Sequence, residues 1–246
     1  MFGALLFSGQ ICMSTERVIV QRPVLEPLVA AIKGHIDTLT VGDPEHSHLS
    51  SLFTDRSADN IIAMLKEAKE AGAEVLLGDM EKAGPALLKP HILMGVKTET
   101  RLWQRETFGP VLVVAVVDTV DEAVELANAT DYTLAAAVWT NDLYNAMNVS
   151  RCLRSGSWFY LLQSLAPDLG RFSSGSVSIN GSTLHVEGAV GITGLGCVVF
   201  RTYLPHSSSL ISRGSSGYGR FNVDNFTDKR VITLYPPKSS YPLLGL

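Results

Sequence analysis

The chain has 246 residues, of which 46% are hydrophobic and 18% charged. That supplies a sizeable core and is too little charge for a disordered chain. A formal net charge of −4 argues against nucleic acid or an anionic membrane as partner, and no apolar run approaches the roughly 20 residues that span a bilayer.

In chain order, Met1 to Phe7 is a short apolar run without a basic leader, and polar Ser8-Gly9-Gln10 follows at once. This reads as an element whose first half lies upstream, not as a signal peptide. Arg17 to Val20 is a β-branched run and predicts a strand. After Pro23, the residues Leu25, Leu28, Val29 and Ile32 repeat at helical spacing. Gly42-Asp43-Pro44 is a turn. A second helix begins near Ser57, with Ile61, Met64, Leu65, Ala68 and Ala71 as its buried stripe and Gly72 at its end. Glu74 to Leu77 is a short strand. Val111 to Val117 is an unbroken apolar run, as expected of a strand buried on both faces.

Thr119 and Glu122 form a capping-box signature for a helix through Ala123, Val124 and Leu126. Leu134 to Trp139 is another strand. Asn141 or Asp142 can cap a helix running through Leu143, Ala146, Met147, Ser150 and Leu153 and closed by Gly156. Val177 to Ile179 and Arg230 to Tyr235 are late strands. Strands alternating with helices predict an α/β fold with a mostly parallel sheet flanked by helices. No internal repeat is visible.

The cysteines, Cys12, Cys152 and Cys197, are odd in number and widely spaced. That argues against a disulfide framework or a zinc site and fits a reducing, cytoplasmic setting. Asn-x-Ser/Thr sites at Asn128, Asn148, Asn180 and Asn225 read as chance matches without a secretory leader. His46 and His48 lack a third metal ligand nearby and read as a solvated loop, so no metal site is expected. Gly188, Gly191, Gly194 and Gly196 mimic a phosphate-cradling loop, but no helical pattern follows them.

Two segments could carry chemistry. Gly9-Gln10-Ile11-Cys12 places a thiol among small and polar residues just before a strand. Alone, such a cysteine is more often a small buried apolar residue than a nucleophile. Arg105-Glu106-Thr107-Phe108-Gly109-Pro110 precedes the buried strand. Its carboxylate and aromatic ring could hold a ribose and a flat ring, or it could be a plain turn with a solvated Glu106.

Taken together, the two segments are far more specific. Gly-Gln-x-Cys followed by Thr15-Glu16-Arg17, and later by Glu106-x-Phe108-Gly109-Pro110, resembles the aldehyde dehydrogenase superfamily. The likeness continues through Asp131 to Thr140, Ser178 to Gly181 and Ser216 to Phe221. Its wording is nearest to members that oxidise aromatic aldehydes such as salicylaldehyde or vanillin. The resemblance implies that Cys12 is the nucleophile on the aldehyde carbon. It implies that Glu106 hydrogen-bonds the ribose of the nicotinamide and that Phe108 packs near its ring. NAD or NADP is then the cofactor, a small-molecule aldehyde the substrate, and a homo-oligomer the usual assembly.

The chain also departs from the family pattern. Only eleven residues precede Cys12, so the dinucleotide-binding domain is expected to be largely missing. The Glu-Leu-Gly-Gly-Lys segment that carries the family's general base is absent, as is the upstream Asn of the oxyanion hole. Residues 157–175 and 197–213 have no recognised family counterpart and read as translated intron sequence, with real surface insertions as the rival. The expected organisation is a catalytic domain over 1–228 and an oligomerisation strand and tail over 229–246.

These features predict an aldehyde dehydrogenase of which this chain is a weakly active or inactive form. The alternative is a non-catalytic fragment that binds full-length subunits through its terminal strand. A thiol hydrolase working without NAD would need a histidine base near Cys12, the nearest in sequence being His35.

Overall fold

A computed structural model describes residues 1–132, 134–153, 176–184 and 231–234. The stretches 157–175 and 197–213, the expected boundary at 228, Gly156 and the glycines from 188 to 196 lie outside the described residues. The chain divides into two compact units, one holding Met1–Ala129 and the other within Thr130–Ser240. No helix among the described residues is long and apolar enough to cross a membrane.

The first unit opens with a one-turn helix, α1 (Phe2–Leu5), and is built around a four-stranded sheet. Strand β6 (Val111–Val117) lies inside it, between β1 (Arg17–Gln21) and β5 (His91–Met94), and pairs parallel with both. Strand β2 (Glu74–Leu77) closes the other edge, antiparallel to β5. The apolar side chains of β6 alternate between two cores. Val111 and Val113 pack with Ile61, Met64, Leu65 and Ala68 of α3 (Asp55–Glu70). Leu112 and Val114 pack with Ile32 and Ile36 of α2 (Leu25–Ile36). Helices on both faces explain why β6 reads as a continuous apolar run.

Local chemistry sets the helix ends. The Thr54 side chain accepts a hydrogen bond from Ser57 N at 3.1 Å, so α3 starts at Asp55, two residues earlier than its apolar stripe suggests. Gly72, with φ +105°, follows its last turn. Between β2 and β5 runs a small hairpin of β3 (Lys82–Gly84) and β4 (Leu87–Leu88). A one-turn helix, α4 (Arg101–Gln104), precedes the loop into β6. Helix α5 (Val120–Ala127) carries the full capping box of Thr119 and Glu122.

The second unit contains three parallel strands in the order β7 (Ala135–Val138), β8 (Ser176–Ile179) and β9 (Val231–Leu234). Helix α6 (Leu143–Cys152) is capped by Asp142, which accepts from Asn145 N at 3.0 Å. The strand read as an oligomerisation element includes Val231–Leu234, which is β9. Its backbone pairs with β8 in register from Ser176↔Val231 to Ile179↔Leu234. The fold is α/β with mixed, mostly parallel sheets and flanking helices.

Candidate active site

Strands β1 and β6 are parallel neighbours with Arg17 opposite Val113. The segments that lead into them, 12–16 and 106–110, therefore meet at one end of the sheet. Contacts of Glu16, with Gly9 and Val113 beside it, join them. Glu16 Oε1 accepts hydrogen bonds from Thr107 N at 2.8 Å, Thr107 Oγ1 at 2.9 Å and Phe108 N at 3.1 Å. Gly9, with φ +77°, lies so close to Gly109 that a Cβ there would stand 2.1 Å from the Gly109 carbonyl oxygen. Val113 N donates to Glu16 O at 2.9 Å, continuing the ladder to the edge of the site.

The loop from α4 into β6 is gripped elsewhere as well. Arg17 donates to Trp103 O at 2.5 Å, and its guanidinium carbon sits 5.5 Å from the centroid of the Trp103 ring. His91 N donates to Pro110 O at 2.8 Å.

Cys12 is a free, partly exposed thiol on the turn before β1. The backbone ahead of it is unusual. Phe7, Ser8 and Gly9 all have positive φ, at 50°, 57° and 77°. A non-glycine residue in that region costs on the order of 1–3 kcal/mol and persists only where its surroundings hold it. Here Ser8 Oγ donates to Ser50 O at 2.8 Å, and Ser50 N donates back to Ser8 Oγ at 3.1 Å. Phe53 N donates to Gln10 Oε1 at 2.8 Å, while Gln10 Nε2 reaches Phe7 O at 3.2 Å. Beyond Cys12, Ser14 N donates to Ile11 O at 2.8 Å and Thr15 N to Gly3 O at 2.7 Å.

Glu106 and Phe108 are each partly exposed, and Thr107 between them is buried. Phe108 has φ +48° and is a third strained residue at this end of the sheet. Glu16 keeps part of its own surface in solvent, but its carboxyl end is turned inward onto Thr107 and Phe108. Burial pushes that carboxyl above its ordinary range, against the opposing pull of its hydrogen bonds and of Arg17.

The structure thus brings the Cys12 segment and the Glu106–Phe108 turn together. It gives no such place to His35, His46 or His48. His35 is exposed in the last turn of α2. His46 pairs with Asp43 and His48 with Thr40, within their own loop. Among the described residues, no three His, Cys, Asp or Glu side chains are grouped as metal ligands.

Sequence reasoning missed Glu16 as a contact residue, and it missed His91 altogether. His91 is only 1% exposed. Met80 N donates to its Nε2 at 2.9 Å, so its proton sits on Nδ1, 2.8 Å from Lys89 O. No local pattern around Lys89-Pro90-His91 marks it.

Residues 1–161 match the sequence profile of the aldehyde dehydrogenase family. Vanillin dehydrogenase of Pseudomonas fluorescens is 31% identical over 248 residues, covering 98% of this chain and 43% of that protein. Salicylaldehyde dehydrogenase of Pseudomonas sp. (strain C18) has the same identity and coverage. The solved structure of a salicylaldehyde dehydrogenase from Pseudomonas putida G7, complexed with salicylaldehyde, superposes with a TM-score of 0.66 at 32% identity. It covers 79% of this chain, which spans 37% of that one. NADP-dependent glyceraldehyde-3-phosphate dehydrogenase from Bacillus halodurans C-125, complexed with NADP, gives a TM-score of 0.66 at 32% identity, with 79% and 36% covered. The chain spans less than half the length of these relatives.

Proposed function

The chain belongs to the aldehyde dehydrogenase family, and from that premise we propose that its chemistry is oxidation of an aromatic aldehyde to the carboxylic acid through a thioester on Cys12. The observation that carries this reading is the junction of two segments distant in sequence. Gly9 against Gly109, and Glu16 against Thr107 and Phe108, hold the Cys12 turn beside the Glu106–Phe108 turn. The aromatic class of substrate follows the vanillin and salicylaldehyde relatives.

Cys12 Sγ, as thiolate, forms a bond to the aldehyde carbon while the carbonyl opens to an oxyanion. Backbone N–H groups at the turn, that of Cys12 among them, stabilise this charge. NAD or NADP, when bound, supplies the acceptor for the hydride that leaves the same carbon. The Cys12 thioester that results is released as acid by water under general-base catalysis. Glu106 and Phe108 suit the nicotinamide end of such a cofactor. A partly exposed carboxylate accepts from vicinal ribose hydroxyls, and a partly exposed ring packs on a flat heterocycle. The described residues contain no glycine-rich strand-to-helix turn for a pyrophosphate, so no residue here is assigned to the adenosine half.

These 246 residues contain no Glu-Leu-Gly-Gly-Lys segment. Loss of a general base costs roughly a hundredfold to ten-thousandfold in rate. The isolated polypeptide is therefore expected to acylate at Cys12 with little sustained turnover. Incubation with salicylaldehyde or vanillin and NAD or NADP, followed by peptide mass mapping, tests this. An acyl group on the Cys12 peptide that disappears in Cys12→Ala is expected. Acylation of Cys152 or Cys197 with Cys12 unmodified would sink the assignment, and full turnover by the isolated chain would sink the expectation of weak activity.

A second reading has one observation in its favour. Strand β9 ends the three-stranded sheet of the second unit, leaving one edge unpaired by any described strand. A chain that only associates with full-length subunits through that edge would co-purify with them, and Cys12→Ala would leave the association unchanged.

A further inference from the structure

We infer that Glu16 is the positioning residue that holds the Glu106–Phe108 turn in register with Cys12, and so decides whether a nicotinamide nucleotide can shield the thiol. Its bearing on catalysis rests on the roles proposed for Cys12, Glu106 and Phe108.

A single oxygen, Oε1, accepts from two successive backbone amides and from the hydroxyl of the first. That grip fixes the backbone and side chain of Thr107 together with the amide of Phe108. Thr107 is buried, so water is a poor substitute for the lost acceptor. Phe108 stands at φ +48°, a conformation that persists only where neighbouring groups enforce it. Glu16 Oε1 does so, accepting from Thr107 N, Thr107 Oγ1 and Phe108 N at 2.8, 2.9 and 3.1 Å.

The other end of the grip is equally fixed. Glu16 O accepts from Val113 N, and the next residue, Arg17, starts the β1–β6 ladder. Between Glu16 and Cys12 the chain makes one tight turn, closed by Ser14 N on Ile11 O. Displacement of Thr107 and Phe108 relative to Cys12 therefore requires the Glu16 bonds to break. The contact of Gly9 with Gly109 is steric, and it limits approach without setting direction. Arg17 holds Trp103 in α4, just ahead of the same loop.

A glutamine at 16 keeps the shape and an acceptor oxygen, whereas an alanine removes both. The complete 246-residue chain is compared with Glu16→Gln and Glu16→Ala in two measurements. The first is amide exchange at Thr107 and Phe108, with the α3 amides from Ile61 to Ala68 as a measure of folding. The second is alkylation of the Cys12 peptide by iodoacetamide, with and without nicotinamide mononucleotide.

Glu16→Ala is expected to speed exchange at Thr107 and Phe108 by at least about tenfold with α3 unchanged. Glu16→Gln should restore most of that protection. Nicotinamide mononucleotide should slow Cys12 alkylation in wild type and Glu16→Gln but not in Glu16→Ala. Wild-type exchange at Thr107 and Phe108 in Glu16→Ala would overturn the inference. So would equal acceleration in α3 without rescue by glutamine, which marks a general strut of the fold. Persisting protection by the nucleotide in Glu16→Ala would overturn it too. If the nucleotide protects no version, wild type included, the roles of Glu106 and Phe108 fail and the shielding claim falls with them. The exchange data then still decide whether Glu16 holds the turn.

Discussion

Replacing Gly9 by alanine tests the junction at its closest point. The added Cβ would stand 2.1 Å from Gly109 O, 2.6 Å from Gly109 C and 3.1 Å from Ala4 O. Ordinary carbon–oxygen contacts lie at about 3.3–3.6 Å, so the Gly109 carbonyl must retreat by roughly 1 Å. All three neighbours are backbone atoms, and no side-chain rotation relieves the overlap. The loop has little room, since Gly109 is itself packed against Ile61, a residue with no exposed surface. Overpacking of this kind costs about 1–3 kcal/mol, and the left-handed φ of +77° adds about 1 kcal/mol for an L side chain. Gly9→Ala is therefore expected to destabilise the first unit by about 2–4 kcal/mol. Gly34→Ala is the control. It lies in α2 with no atom within 4 Å of the added Cβ, and should stabilise by about 0.4–1 kcal/mol. Urea unfolding followed by circular dichroism reads both. A Gly9→Ala midpoint within about 0.5 kcal/mol of wild type would refute the claim that the Cys12 segment packs backbone-to-backbone on the Glu106–Pro110 turn.

Two further outcomes follow from the same unit. Burial holds the His91 imidazole below its ordinary 6.5, against the opposing pull of its hydrogen bond to Lys89 O and of the Asp79 charge. The unfolded chain then takes up a proton that the folded chain refuses, so stability is present above 6.5 and is lost as pH falls below it. The urea midpoint should decline from about pH 8 to about pH 5, and His91→Gln should flatten that slope. An unchanged slope in the variant would assign the decline to other groups. Thr119→Ala removes the acceptor for Glu122 N at the start of α5 and should cost about 1 kcal/mol, read from the same midpoints.

Where the fold was legible, one local pattern matched one physical requirement. The run Val111–Val117 has no polar face because α2 and α3 cover it from both sides. Thr119 and Glu122 are an end signal complete within four residues. The start of α3 was placed late because the cap, Thr54, lies outside the apolar stripe that marked the helix. Strand β5 went unread for a different reason. His91-Ile92-Leu93-Met94 has neither alternation nor β-branched enrichment, and it is a strand because β6 and β2 present ladders on either side. Helix α4 is a single turn, too short to carry a period.

The site divides in the same way. Cys12, Glu106 and Phe108 were legible by resemblance, but the adjacency of their segments depends on the β1–β6 register, which pairs residues 96 apart. Glu16 was legible only as a member of the Thr15-Glu16-Arg17 motif, and nothing local signalled its contact with Thr107 and Phe108. Two costs then coincide. A carboxylate is held where burial disfavours its charge, and Phe108 is held where its backbone is disfavoured. The hydrogen bonds between them offset both costs at once. A loop that merely linked α4 to β6 would need neither, and a hydroxyl or a water could close it. Strain of this kind persists where something over-determines it, and it gathers at sites that must be pre-organised. Here it falls on the turn that carries Glu106 and Phe108, and again on Phe7 and Ser8 just ahead of Cys12. Met80 and Asn180 also have positive φ, outside these stretches, but these two stretches are the ones that Gly9 and Glu16 join, which is the arrangement expected if their relative placement is what the local fold is built to hold.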